Sequence, residues 1–316
     1  MLMEIKNYKD NNKVLILKVG QDDIDGMSIN YDIDDTGEYS YLYNEFVEAV
    51  VNYLPEYSMG YDIAALTATQ YIPYIRESAN SLIKIKHIDE IKRYLDNKTP
   101  YEEWNPAVLK IYVTKGIFSE MILHFILRNF KSTIPLISKI YFKDSNAVEA
   151  HGFDAVHITK NDNTLWLGET KFYNNGKRAL NALIDDLKNH FIKDYLNEQF
   201  VIISRSLVQN NNLRNEWITL LGNTKTLSEK FSAIKIPLLC IYEDQFSERV
   251  IKAINKQEDI DAIYLEHISE LKAYFDKNND YPNKEHVQIL LILLPVESKD
   301  KIVAKMLEKI YSMQNM

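Results

Sequence analysis

Three charged side chains, Asp154, Glu169 and Lys171, stand near the ends of two apolar stretches in HGFDAVHITKNDNTLWLGETK (151–171). The intervening KNDN offers Asn and Asp, which favour tight turns. A hairpin turning between Asn161 and Asp162 sets Asp154 directly opposite Glu169. Strand alternation then puts Lys171 on the face of Glu169, together with Val156, Ile158, Leu165 and Leu167. The charged set therefore lies on the apolar face. Burying such groups is costly unless they are paired or bind a metal. Two opposed carboxylates repel, and a divalent cation removes the repulsion. Hard cations such as Mg²⁺ take carboxylate oxygens. An ammonium cannot ligate, but Lys171 can orient a water or stabilise charge on a phosphate. The set fits metal-assisted phosphodiester hydrolysis. The competing reading is a salt bridge at a hairpin end.

Acid-x-Lys is common by chance, and this chain repeats it at Glu4-x-Lys6, Glu90-x-Lys92, Asp96-x-Lys98, Asp186-x-Lys188, Glu270-x-Lys272 and Glu297-x-Lys299. Most fall in helical or polar stretches. The serious rival, Glu297-x-Lys299, follows the apolar run HVQILLILLP, where Pro295 is expected to break the ladder. Only 169–171 has an acidic partner on a paired strand.

The elements that must position this set are legible around it. GIFSEMILHFILRNF (116–130) reads as a largely buried helix. PLISKIYF (135–142) reads as a strand, followed by the hairpin strands 152–159 and 164–173. RALNALIDDLKNHFIKDYL (178–196) reads as an amphipathic helix with Leu180, Leu183, Ile184, Leu187 and Phe191 on one face. QFVIIS (199–204) reads as an apolar strand. Upstream, LILKVG (15–20) reads as a strand, and 39–54 and 61–95 as helical. Downstream come strands at 233–242 and 286–295 and helices at 257–276 and 299–313. A boundary near 115 divides an N-terminal α+β region (1–115), with partner binding as one role for it, from a domain over 116–316.

The order helix, three-stranded meander, helix, strand, with Asp on the second strand and Glu-x-Lys on the third, resembles the PD-(D/E)xK nuclease core. The resemblance implies an α/β fold with a restriction-endonuclease-like core, a mixed sheet flanked by helices. In that superfamily the leading helix often carries a further acid, and Glu120 stands there. Alternatively Glu120, His124 and Arg128 form a solvated polar stripe. GIFSE, SKIYF, HGFDAVHI, LWLGETKFY and ILLILLPVES together resemble the nuclease subunit of the Hachiman anti-phage systems and the similar protein of the Abp defence pair. That resemblance implies a deoxyribonuclease acting with a superfamily 2 helicase on DNA. It implies Mg²⁺ or Mn²⁺ held by Asp154, Glu169 and the main-chain carbonyl of Thr170, with Lys171 and Glu120 completing the catalytic set. Phe153 stands where the superfamily name has proline.

The formal charge of −8 gives no sign of nucleic-acid binding, so a DNA partner requires a local basic patch. Hydrophobic residues at 46% and charged residues at 26% suit a globular chain with a sizeable core. The single cysteine, Cys240, reads as a core side chain and fits a reducing cytoplasm. No signal-peptide pattern opens the chain. VQILLILLPV is too short for a membrane helix, which takes ~20 residues. His157, across from Trp166, reads as a packed core histidine. His151 lies near the site, and His190 reads as a surface or partly packed residue. Lys177 and Arg178 read as phosphate contacts or as surface charge. Two further functional classes remain open: a non-catalytic scaffold for a helicase, and a restriction-type endonuclease acting alone.

Overall fold

The computed structural model describes residues 13–60, 67–82, 88–139, 152–159, 164–207 and 226–316. The chain starts with β1 (Leu15–Gly20), β2 (Ile24–Ile29) and a small ribbon of β3 (Tyr31–Ile33) and β4 (Tyr39–Tyr41). Helices α1 (Tyr43–Val51), α2 (Leu54–Met59), α3 (Ala68–Leu82), α4 (Ile88–Asp96) and α5 (Pro106–Val113) follow. The central portion is α6 (Ile117–Phe130), β5 (Ile134–Pro135), β6 (Ala155–Ile158), β7 (Leu165–Tyr173), α7 (Gly176–His190) and α8 (Lys193–Leu207). The chain closes with α9 (Leu227–Phe231), β8 (Ile234–Glu243), α10 (Phe246–Asn255), α11 (Ile260–Asn278), β9 (Gln288–Val296) and α12 (Lys299–Gln314).

Seven strands form one mixed sheet in the order β1-β2-β9-β8-β7-β6-β5. The meander β5-β6-β7 is antiparallel, and β7, β8, β9 and β2 run parallel to one another. The N-terminal strands β1 and β2 thus extend the sheet that carries the hairpin. Helices cover both faces, which is why β8 and β9 read as unbroken apolar runs. Leu239 and Ile241 pack with α1, α6 and α12 on one face. Leu238, Cys240 and Tyr242 pack with α7, α8 and α11 on the other. The arrangement is compatible with the restriction-endonuclease-like core expected from the motif order. Among the described residues no helix is long and apolar enough to cross a membrane.

Three local expectations are corrected. QFVIIS is not a strand but part of α8. Leu196, Phe200 and Ile203 are buried while Val201 is exposed, a helical period hidden inside a short apolar run. The parallel strand after α7 is β8 instead. The strand expected over 135–142 is only Ile134–Pro135, with Pro135 on the edge strand of the sheet. Leu136 N–H still reaches the Val156 carbonyl (2.8 Å), and 140–142 lie outside the described residues. Finally, Pro295 does not break β9, whose pairing with β8 continues through Glu243 and Val296. Leu291 points its N–H toward β2, so Pro295, four residues on, also faces that side. β2 pairing has already ended at Leu293, so no ladder bond is lost.

One glycine fixes how closely α6 lies on the sheet. A Cβ at Gly168 would sit 2.6 Å from Leu123 Cδ2 and 3.2 Å from both Ala155 Cβ and Pro237 Cγ. Gly168→Ala is expected to destabilise the fold by about 1–3 kcal/mol through overpacking. Chemical denaturation checks this, and an unchanged midpoint would contradict it.

Candidate functional site

The hairpin register is the one the sequence implies. Ala155 pairs with Gly168 and Val156 with Leu167. The Asp154 N–H donates to the Gly168 carbonyl (2.9 Å), which leaves Asp154 at the mouth of the hairpin beside Glu169. The turn residues 160–163 and His151 lie outside the described residues. Asp154 Oδ2 accepts two hydrogen bonds from Thr170, from its N–H (2.8 Å) and its hydroxyl (3.0 Å). N–H and C=O of one strand residue face the same neighbouring strand. The Thr170 carbonyl therefore faces the Asp154 side. The Thr170 hydroxyl also meets Ser119 Oγ of α6 (2.9 Å), which ties the helix to the strand end.

Glu120 belongs to this pocket. It sits in the first turn of α6, buried, accepts from the Tyr57 hydroxyl (2.5 Å) and pairs with the Lys139 ammonium. The solvated-stripe reading of Glu120, His124 and Arg128 does not hold: His124 is 2% exposed. Its Nε2 lies 3.1 Å from Glu56 and its Nδ1 3.0 Å from His157. Arg128 also binds Glu56 (2.8 Å). His157 is the packed histidine expected, paired across from Trp166.

On the other side of the sheet end, α7 brings two residues that the motif does not contain. Glu169 Oε1 is 2.8 Å from His190 Nδ1, and Lys171 Nζ is 2.5 Å from Asp186 Oδ2. Glu169, Asp186 and His190 each direct one ligand atom to within 4.8 Å of the others. Lys177, at the opposite end of α7, pairs with Glu270 in an exposed contact. The rival Lys299 donates from its ammonium to the Phe172 carbonyl and from its N–H to Glu243 (2.6 Å).

A family model for HamA matches residues 4–310, nearly the whole chain. The chain belongs to the HamA family. This makes it a Hachiman anti-phage defence protein. No curated protein and no solved structure matches it significantly.

The electrostatics of this HamA-family pocket suit a cation. Burial first, and then the charges of Glu120 and Glu169, push the Asp154 carboxyl well above its usual range. Burial and Asp186 do the same to Glu169. Burial disfavours the Lys171 ammonium, but Asp186, Glu169 and Asp154 outweigh it and hold its pKa above the ordinary lysine value. Burial pulls the His190 imidazole downward. Glu169 and His190 are thus both held toward their neutral forms across a short hydrogen bond. The Tyr195 hydroxyl, whose ring stacks on His190 (centroids 4.7 Å apart), is enclosed with no hydrogen-bond partner among the described residues. Crowded acids and an orphaned hydroxyl fit a divalent ion. The donor set, carboxylates with one main-chain carbonyl, is of the kind Mg²⁺ or Mn²⁺ takes.

The hairpin carried enough signal to place Asp154, Glu169 and Lys171 at one end of the sheet. Asp186 and His190 were missed as site residues. Their signal was present: they are four apart on α7, a polar pair flanking the apolar face of Leu183 and Leu187. Nothing in the sequence says that this stripe meets the end of β7. Tyr57 comes from a distant segment and had no signal, and Lys139 stood in the SKIYF string without being singled out as a site residue.

Proposed function

We propose that this HamA-family chain is a metal-dependent nuclease that hydrolyses DNA phosphodiester bonds, controlled by a superfamily 2 helicase partner. The observation that carries the reading is the half-buried Asp154 beside the buried Glu169 at one sheet end, with the Lys171 ammonium next to them. Asp154, Glu169 and the Thr170 carbonyl would hold the Mg²⁺ or Mn²⁺. When bound, the ion stabilises charge on the scissile phosphate and lowers the pKa of a water.

The chain's own groups do the rest. Thr170 fixes the Asp154 carboxylate through two hydrogen bonds, so its free oxygen keeps one direction. Lys171 stays protonated and stabilises negative charge developing on the phosphate or orients the attacking water. Glu120, held by Tyr57 and Lys139, adds a third carboxylate at the pocket wall. The helicase would supply much of the DNA affinity that a chain of net charge −8 lacks.

The test is Mg²⁺-dependent loss of plasmid DNA by the purified chain, with and without the product of a neighbouring helicase gene. Cleavage that requires Mg²⁺ and changes with the helicase supports the reading. Helicase binding without cleavage under any divalent ion would turn it into the scaffold reading. Undiminished cutting in the absence of any partner would favour a stand-alone restriction-type enzyme.

A further inference from the structure

We propose that Glu169, Asp186 and His190 form a second divalent-cation position beside the first, suited to a Mn²⁺-class ion. The inference rests on the nuclease reading of the same pocket but uses residues outside its motif. The three ligand atoms already lie within 4.8 Å of one another, and no backbone movement is needed to gather them. They come from two rigid elements, β7 and the last turns of α7, whose packing is set by Leu183 and Leu187 in the core.

Charge crowding at these residues also favours a cation. Four carboxylates converge on this pocket, Glu120, Asp154, Glu169 and Asp186. Among the described residues two ammonium groups, Lys139 and Lys171, pair with these acids. One divalent ion balances that excess if all are ionised, and an ion held between Glu169 and Asp186 relieves the repulsion between those two groups. Asp186 Oδ2 is enclosed, with the Lys171 ammonium 2.5 Å away. Lys171 and a cation therefore compete for Asp186. Binding at this position frees the Lys171 ammonium to face the phosphate, coupling ion loading to the proposed catalytic lysine.

The donor set also selects the ion. Mg²⁺ prefers oxygen ligands and keeps several waters. An imidazole with two carboxylates favours a transition ion further along the affinity series, with Mn²⁺ the hardest of these. His190 Nδ1 faces Glu169, and its ring is steadied by stacking on Tyr195, which fixes the ligand's direction.

The experiment counts Mn²⁺ bound by the full chain without DNA, from the electron paramagnetic resonance signal of free Mn²⁺, with thermal melting as the folding control. The wild type is expected to bind two ions. Asp186→Asn and His190→Asn are each expected to weaken one of the two by at least about tenfold, leaving the other intact. Asp154→Asn is expected to weaken the other one instead. Lys171→Met, which removes the competing ammonium, is expected to tighten the Asp186 position by about tenfold or more. A purely structural role for Asp186 and His190 would not produce that gain. If His190→Asn fails to fold, Asp186→Asn and Lys171→Met decide alone. One bound ion in the wild type, or two ions unaffected by these substitutions, overturns the proposal. Two ions bound without any DNA cleavage would refute the nuclease reading and leave this site standing. Cleavage with a single ion indifferent to Asp186 and His190 would do the reverse.

Discussion

Glu169→Ala and Lys171→Ala are each expected to lower Mg²⁺-dependent DNA cleavage by at least about 10²–10³-fold, the usual cost of deleting one charge-stabilising group. The two losses arise differently. Glu169→Ala removes a carboxylate that is 2% exposed and has no replacement nearby on β7. Lys171→Ala removes the ammonium that Asp186, Glu169 and Asp154 keep protonated. Neither change should unfold the protein. His190, left unpaired by Glu169→Ala, keeps partial solvent contact, its side chain being 29% exposed. Asp186, left by Lys171→Ala, has a side chain 15% exposed, and removal of the lysine side chain opens its Oδ2 to water. Cleavage by single-turnover assay, with melting and helicase binding unchanged, checks both. Undiminished cleavage by both purified variants defeats the assignment.

Asp154→Asn is expected to abolish cleavage and yet to raise the stability of the metal-free protein at neutral pH. The sign follows from linkage. The Asp154 and Glu169 carboxyls are held well above the ordinary values of 3.8 and 4.5 that apply when the chain is unfolded. The folded state therefore binds these protons more tightly than the unfolded state. Their favourable contribution is complete below the ordinary values and is lost as pH rises through the raised folded values. The metal-free protein should thus lose stability as pH climbs from the ordinary carboxylate range toward neutrality, with other groups held constant. Asparagine keeps an oxygen to accept from the Thr170 N–H and hydroxyl while removing the charge. A gain of about 1 kcal/mol, read as roughly 2–4 °C in Tm, is expected at pH 7 and should vanish near pH 4. Saturating Mn²⁺ should stabilise the wild type more than the variant, because only a site that binds the ion gains by mass action. A lower Tm for Asp154→Asn at pH 7, or an unchanged pH slope, contradicts the argument.

These two results would separate what the site does from what it costs the fold. A protein selected only for stability would not crowd half-buried Asp154 against buried Glu169 and Glu120. Acids kept together against their own repulsion are commonly found at functional sites.

The sequence by itself determined the hairpin and its register. A period of two in AVHI and LWLGETK, with turn residues between, leaves one way to put Val156 and Leu167 in the core, and that choice puts Asp154 beside Glu169. It also determined α6, β8 and β9, where long apolar runs have only one buried solution. Short apolar runs did not carry that information: QFVIIS satisfies a strand or a helix, and packing of Leu196, Phe200 and Ile203 decided for the helix. Pro295 likewise depended on which neighbour its missing N–H would face, a fact of sheet order rather than of local sequence. Only the tertiary structure brought Asp186 and His190 to Glu169 and Lys171, and Lys139 and Tyr57 to Glu120. Local spacing fixes which side chains share a face of one element. Which faces then meet is decided by how the whole core closes, and that is where the rest of this site was made.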